Sequence, residues 1–142
     1  MVELKYIINH NKKLIDALKQ INSIGRGPLC LFVEDDNGVM VGTLTDGDIR
    51  RSLIKGATIN DSVTNAMNKD FNCLHLGIDD NVVNLRHQRD LKMKLVPVID
   101  KDGKICNIID LERYITKLPL DAVIMAGGKG ERLRPLTLTT PK

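Results

Sequence analysis

With 142 residues and 15.8 kDa, the chain can fold as one compact domain or as two small repeated units sharing a core, and it is too short for most two-domain enzymes. Hydrophobic residues make up 42% and charged residues 27%, with no low-complexity tract and no apolar run approaching the roughly twenty residues of a membrane span, so a soluble globular protein is expected rather than a disordered or membrane-spanning one. Of the net charge of +3, residues 120–142 supply +2 (Lys129, Arg132, Arg134 and Lys142 against Asp121 and Glu131); the body is nearly neutral, and its few aromatics (Tyr6, Phe32, Phe71, Tyr114) form no stacking platform, which argues against a nucleic-acid partner.

The opening Met1-Val-Glu-Leu-Lys-Tyr-Ile-Ile has no basic segment ahead of a long apolar stretch, so no secretory signal is expected and the cytoplasm is the expected location. Leu14, Ala17, Leu18 and Ile21 recur at helical spacing between Asn11 and Asn22, and the run breaks at Ser23-Ile-Gly-Arg-Gly-Pro28. Leu29-Cys-Leu-Phe-Val33 has the length of a buried strand. Glu34-Asp-Asp-Asn-Gly38 is a turn, and Val39-Met-Val-Gly-Thr-Leu44 completes a hairpin. A second helix is predicted to open at Thr45, pass through Ile49, Leu53 and Ile54, and stop at Gly56.

The same grammar returns about 65 residues later. Lys94-Leu-Val-Pro-Val-Ile99 repeats the first strand, Asp100-Lys-Asp-Gly103 the turn, and Lys104-Ile-Cys-Asn-Ile-Ile109 the second strand, so that Val33, Gly38 and Met40 correspond to Val98, Gly103 and Ile105. The more polar stretch from Asn81 to Lys92 stands for the first helix, and Ala57 to Phe71 links the halves. Each unit exposes an apolar sheet face that it cannot bury alone, so the two are expected to pack as a pseudo-symmetric pair.

Cys30, Cys73 and Cys106 are far apart, odd in number and without metal-ligand spacing, which disfavours disulfides and structural zinc and favours buried free thiols at Cys30 and Cys106. His10, His75 and His87 are scattered and receive no role; hydrophilic flanks place His10 and His87 in solvent.

Gly42-Thr-Leu-Thr-Asp-Gly-Asp-Ile-Arg-Arg51, after an apolar strand and an Asp-Asn-Gly turn, resembles the CBS domain, and the duplication over about residues 1–118 resembles the CBS pair, or Bateman module. The resemblance implies an α/β (α+β) fold of tandem repeats, 1–57 and 58–118, each a small sheet flanked by helices and packed with pseudo-twofold symmetry. In that family a Ser/Thr-x-x-Asp pattern holds an adenosine nucleotide, hydroxyl near phosphate and carboxylate on the ribose; Thr45 and Asp48 match it. Arg50 and Arg51 are candidates for phosphate charge, and Arg26, Gly27 and Pro28 sit in the turn that holds adenine. The chemistry is sound, because an ionised carboxylate accepts strong hydrogen bonds from vicinal hydroxyls and a helix N-terminus offers amides to phosphate. The Thr45-x-x-Asp48 stretch also reads as a capping box. Asp110 and Arg113 replace the pair in the second half, so at most one working cleft is expected, with Asp110 as a helix N-cap. The implied ligand is AMP, ATP or S-adenosylmethionine.

The tail carries a second resemblance. Leu120-Asp-Ala-Val-Ile-Met-Ala126 reads as a buried strand running into Gly127-Gly-Lys-Gly-Glu-Arg-Leu-Arg-Pro-Leu-Thr137 and Pro141-Lys142. This string is similar to the N-terminal signature of sugar-phosphate nucleotidyltransferases. In them the residues matching Gly127, Gly128 and Gly130 wrap the nucleoside triphosphate, and those matching Arg132 and Lys142 contact phosphates. Residues 119–142 would then be the start of an incomplete nucleotidyltransferase domain, non-catalytic as it stands, whose longer parent uses Mg²⁺. The expected role is regulation of that enzyme by an adenine nucleotide, with a homodimer formed through the CBS pairs. The alternative is a degenerate pair that serves as an assembly scaffold without a ligand.

Overall fold

The computed structural model describes residues 4–25, 27–79 and 82–113. Arg26 and the whole glycine-rich tail, with Gly127, Gly128, Gly130, Arg132 and Lys142, lie outside the described residues. In chain order the elements are β1 (Ile7–Asn9), α1 (Leu14–Ile24), β2 (Cys30–Glu34), β3 (Met40–Thr45), α2 (Asp46–Ile54), β4 (Leu74–His75), α3 (Val82–Asp90), β5 (Leu95–Ile99) and β6 (Ile105–Asp110). Single 3₁₀ turns occupy Leu4–Tyr6 and Val63–Asn65. The strands form two three-stranded sheets, ordered β1-β2-β3 and β4-β5-β6.

The hairpins follow from their turns. Asp35 Oδ1 accepts the amides of Asn37 and Val39 at 2.9 and 2.8 Å, and Asp100 Oδ1 accepts those of Asp102 and Lys104, both at 2.9 Å. Gly38 and Gly103 close the turns at φ +79° and +77°, a backbone region that a Cβ disfavours. The registers repeat as well: Cys30 pairs with Thr45 and Leu95 with Asp110, and both hairpins shift register at equivalent places, Val33/Glu34 and Val98/Ile99.

The sequence pattern did not reveal β1 and β4. They are three and two residues long, and each pairs in parallel with a strand far along the chain, Ile8 with Val33 and Leu74 with Val98. A stretch that short carries no readable period, and only the distant partner makes it a strand. Helix α1 begins at Leu14, the first of its apolar positions, and runs past Asn22 to Ile24, with Asp16 accepting the Lys13 amide at 3.3 Å.

Side chains alternate along the strands and so serve two cores. Leu31, Val33 and Leu44 face Leu14, Ala17, Ile21 and Ile49 of the helices, and Val96 and Val98 join Leu74, Leu85 and Leu111 in the second repeat. Phe32, Met40 and Tyr6 instead meet Leu95, with Ile99, Ile105 and Ile108 beside them. This third cluster joins the two sheets. Above it Val39 bridges Lys104, and the Met40 amide reaches the Gly103 carbonyl.

Two surface expectations change. All three cysteines are free but only half-buried, Cys30 because it begins its strand and Cys106 because β6 is a sheet edge. His10 is half-buried, its Nε2 3.5 Å from Asp36 Oδ2, because the 9–11 stretch folds under the Asp36 turn, where Asn9 and Asn11 donate to the same carboxylate; His87 is exposed as expected. Among the described residues no helix is long and apolar enough to cross a membrane, and no cluster of side chains suits a metal ion.

Candidate functional site

The end of β3 hands its last residue to α2 as the N-cap. Thr45 Oγ1 accepts the Asp48 amide at 3.1 Å, and Asp48 Oδ2 accepts the Thr45 amide at 2.9 Å and its hydroxyl at 2.6 Å. The capping box is therefore complete, with two of the helix's otherwise unpaired donors satisfied. The other oxygen, Oδ1, accepts from Arg51 Nη2 at 2.5 Å. The Asp48 side chain is 17% exposed and that of Arg51 67%.

A cleft of about 480 Å³ opens beside this group, between one face of α2 (Asp48, Arg51, Ser52, Lys55) and the 65–68 stretch of the linker. The linker is held there by Thr43, whose amide and carbonyl pair with Asn68 at 2.9 and 2.7 Å. Gly42 permits that approach, since a Cβ on it would stand 2.9 Å from the Asn68 carbonyl. Lys55 and the 65–68 stretch escaped the motif reading because no local pattern announces a tertiary contact across the linker.

The structure brings Thr45, Asp48 and Arg51 together and sets the other candidates apart. Arg50 turns to Asp46 in an ion pair. Gly27 lies against the Tyr6 hydroxyl, where a Cβ would stand at 2.8 Å, and Pro28 is buried with its carbonyl accepting the Cys30 amide. Their neighbours Gly25 and Leu29 border a different cleft of about 510 Å³, with Leu18, Ile21, Asn22 and Asp46. Cys30, paired with Thr45 across the hairpin, has its thiol pushed up to about 12 by burial and by the nearby Asp48 charge.

In the second repeat Asp110 Oδ1 accepts the amides of Glu112 and Arg113 at 3.0 and 3.3 Å in a turn at the end of β6, and the helix it was expected to cap lies outside the described residues. Asp110 also ion-pairs with Arg113 at 3.5 Å, so no carboxylate stands where Asp48 stands in the first.

The CBS domain family model matches residues 5–55. Residues 5–55 are a CBS domain. A Nucleotidyl transferase family model matches residues 121–142. Among curated proteins, the arabinose 5-phosphate isomerase GutQ of Escherichia coli O6:H1 is 29% identical over 104 residues, and that of Salmonella typhi 28% over 102. In each case the match takes in 71% of this chain and 30% of the relative, so the chain corresponds to less than a third of those proteins.

Solved CBS structures share the fold. The CBS domains of a transcriptional regulator from Streptococcus pneumoniae superpose with a TM-score of 0.64 at 15% identity, covering 79% of this chain and 88% of that one. CBSX2, solved in complex with AMP, gives 0.58 at 23%, covering 73% and 79%. The CBS domain pair of protein MJ0100, solved with 5′-methylthioadenosine and S-adenosyl-L-methionine, gives 0.59 at 20%, covering 75% and 84%. The mixed α+β architecture is thus that of a CBS pair.

Proposed function

We propose that this chain is a regulatory CBS pair, repeats 1–57 and 58–118, that binds an adenine nucleotide at Thr45 and Asp48 and controls an attached sugar-1-phosphate nucleotidyltransferase beginning near residue 119. The observation that carries the reading is that Asp48, whose Oδ1 accepts from Arg51, lines a cleft together with Arg51 and Lys55. A carboxylate acceptor beside two cations suits a ribose that carries a charged group. Adenine ligands in structures of the same fold, and the Nucleotidyl transferase match at residues 121–142, support the two halves of the proposal.

The parent enzyme would join a sugar 1-phosphate to a nucleoside triphosphate and release pyrophosphate with Mg²⁺ assistance. Regulation then requires the nucleotide to bind two states of the parent with different affinity. Calorimetric titration of the chain with AMP, ATP and S-adenosylmethionine, repeated on Asp48→Ala, tests the site. Binding that weakens at least tenfold, about 1.4 kcal/mol, in the variant supports it. No heat with any of them, from a folded chain, leaves Thr45 and Asp48 as a cap.

A second reading, homodimeric assembly without a ligand, is favoured by large apolar side chains left exposed in the first repeat, Leu29 at 47% and Ile54 at 80%. Analytical ultracentrifugation of Ile54→Glu tests it, and a dimer that dissociates in the variant is the expected result.

A further inference from the structure

The second repeat has a cleft of about 410 Å³ lined by Arg89, Lys92, Met93, Lys94, Leu111 and Glu112, between the last turn of α3 and the open end of the β5–β6 hairpin. Asp110 and Arg113, which match Thr45 and Asp48, do not line it. Its counterpart in the first repeat is the cleft beside α1, because Leu29 and Asp46 flank the β2–β3 pairing as Lys94 and Leu111 flank that of β5 and β6. The two differ in charge. The first cleft has only Asp46, tied to Arg50, among apolar and neutral residues, whereas the second sets three cations against one carboxylate. One repeat builds this hairpin end without cations, so the packing does not require them in the other.

Lys92 is held at the cleft against its own backbone preference. Its amide donates to the Arg89 carbonyl at 2.8 Å and the Met93 amide to that of Gln88 at 3.2 Å, closing α3 with a turn that glycine ordinarily makes. Gly25 follows α1 at φ +69°, whereas Lys92 stands at φ +59°, the one non-glycine residue at positive φ among the described residues. The Lys92 side chain is exposed, with no ion-pair partner among the described residues. Arg89 donates to the Leu111 carbonyl at 3.2 Å, which fixes its head beside the hairpin end. Lys94 pairs with Glu112 at 2.9 Å, but an ammonium has three donors and keeps others for a ligand. Like charges lining one small cleft repel one another, and a doubly charged anion relieves that repulsion. Buried Leu111 and half-buried Met93 offer an apolar wall to whatever the anion carries.

We infer that this cleft is an anion site for a phosphate dianion, free or carried as a small ester, with Lys92 and Lys94 pairing with the phosphate beside Arg89. The site is separate from Thr45 and Asp48 and does not rest on the adenosine reading.

The test is calorimetric titration of the 142-residue chain with glucose 1-phosphate, inorganic phosphate and glucose, for the parent sequence, Lys92→Gly, Lys94→Gln and Asp48→Ala, each checked for folding by circular dichroism. The expected result is that glucose 1-phosphate binds and glucose does not, that Lys92→Gly and Lys94→Gln each weaken binding at least fivefold, and that Asp48→Ala leaves it within twofold. Lys92→Gly should melt no lower than the parent, since glycine accepts the left-handed backbone, so its lost binding would not be lost folding. Inorganic phosphate binding as tightly as glucose 1-phosphate supports a site for the free anion, and weaker binding of inorganic phosphate supports one for an ester. Failure of both phosphates to bind, glucose binding as tightly as glucose 1-phosphate, or affinity unmoved in both lysine variants overturns the inference. Binding lost in Asp48→Ala but kept in the lysine variants places the anion beside α2 instead and also overturns it.

Discussion

The Met40 amide donates to the Gly103 carbonyl at 3.0 Å, tying the turn of one hairpin to the turn of the other. Gly103 and Gly38 have nearly the same φ, but a Cβ on Gly103 would stand 3.2 Å from Val39 Cγ1, whereas one on Gly38 meets only the flexible Lys104 Cδ at 4.0 Å. Both Gly→Val changes incur the left-handed backbone penalty, about 1–3 kcal/mol. Gly103→Val is expected to lose more, and urea unfolding of the two variants measures the difference. Equal losses would show that the turn-to-turn contact contributes nothing.

Phe32 is 1% exposed in the cluster that joins the sheets. Phe32→Ala is expected to cost about 3–5 kcal/mol. Because the cluster belongs to both repeats, unfolding followed by circular dichroism should stay a single transition at lower denaturant. A biphasic curve for the parent chain would mean that the repeats unfold independently.

Removing the cap at Thr45 separates stability from recognition. Thr45→Ala is expected to lose about 0.5–2 kcal/mol, while Thr45→Ser keeps the hydroxyl and most of the stability. Thermal unfolding of the pair checks this, and matching losses in both would assign the effect to the Thr45 methyl group instead of its hydroxyl.

Acid should weaken the fold through its turns. The amides of Val39 and Asn37 hold the Asp35 carboxyl below its ordinary 3.8; side-chain donors from Asn9 and Asn11 do the same for Asp36, and the Thr58 amide for Asp61. A carboxyl lowered in the native state contributes stability that is fully present above its unfolded value and is lost as pH falls through the lower native one. Stability should therefore hold down to about pH 4 and fall below it. Asp35→Asn, which keeps the acceptor but not the charge, should flatten that fall in urea titrations from neutral to acid pH.

Cys30 should be the slowest thiol to react. A rise from 9.0 to about 12 cuts the thiolate fraction at mildly alkaline pH by about a thousandfold. Alkylation followed by peptide mapping should find Cys30 protected in the native chain and exposed to reagent in urea. Rapid native labelling would show that the start of β2 opens readily.

The sequence alone determined what local chemistry decides. Asp35 with Gly38, and Asp100 with Gly103, specify two matching turns, apolar runs on either side specify the hairpins, and Thr45 with Asp48 specifies a helix start. Each is made by residues within a few positions of one another, so the pattern is readable without a partner. The tertiary structure decided the rest. Ile7–Asn9 and Leu74–His75 become strands only beside distant β2 and β5. Phe32 and Val33 are both buried, so the run is continuous, and only the packed pair shows that one faces the other sheet and the other the helices. Arg51's tie to Asp48, Arg50's to Asp46, and the linker that makes Lys55 part of a cleft depend on which surfaces meet. Helix spacing offers several partners within reach, and the choice among them belongs to the packed chain.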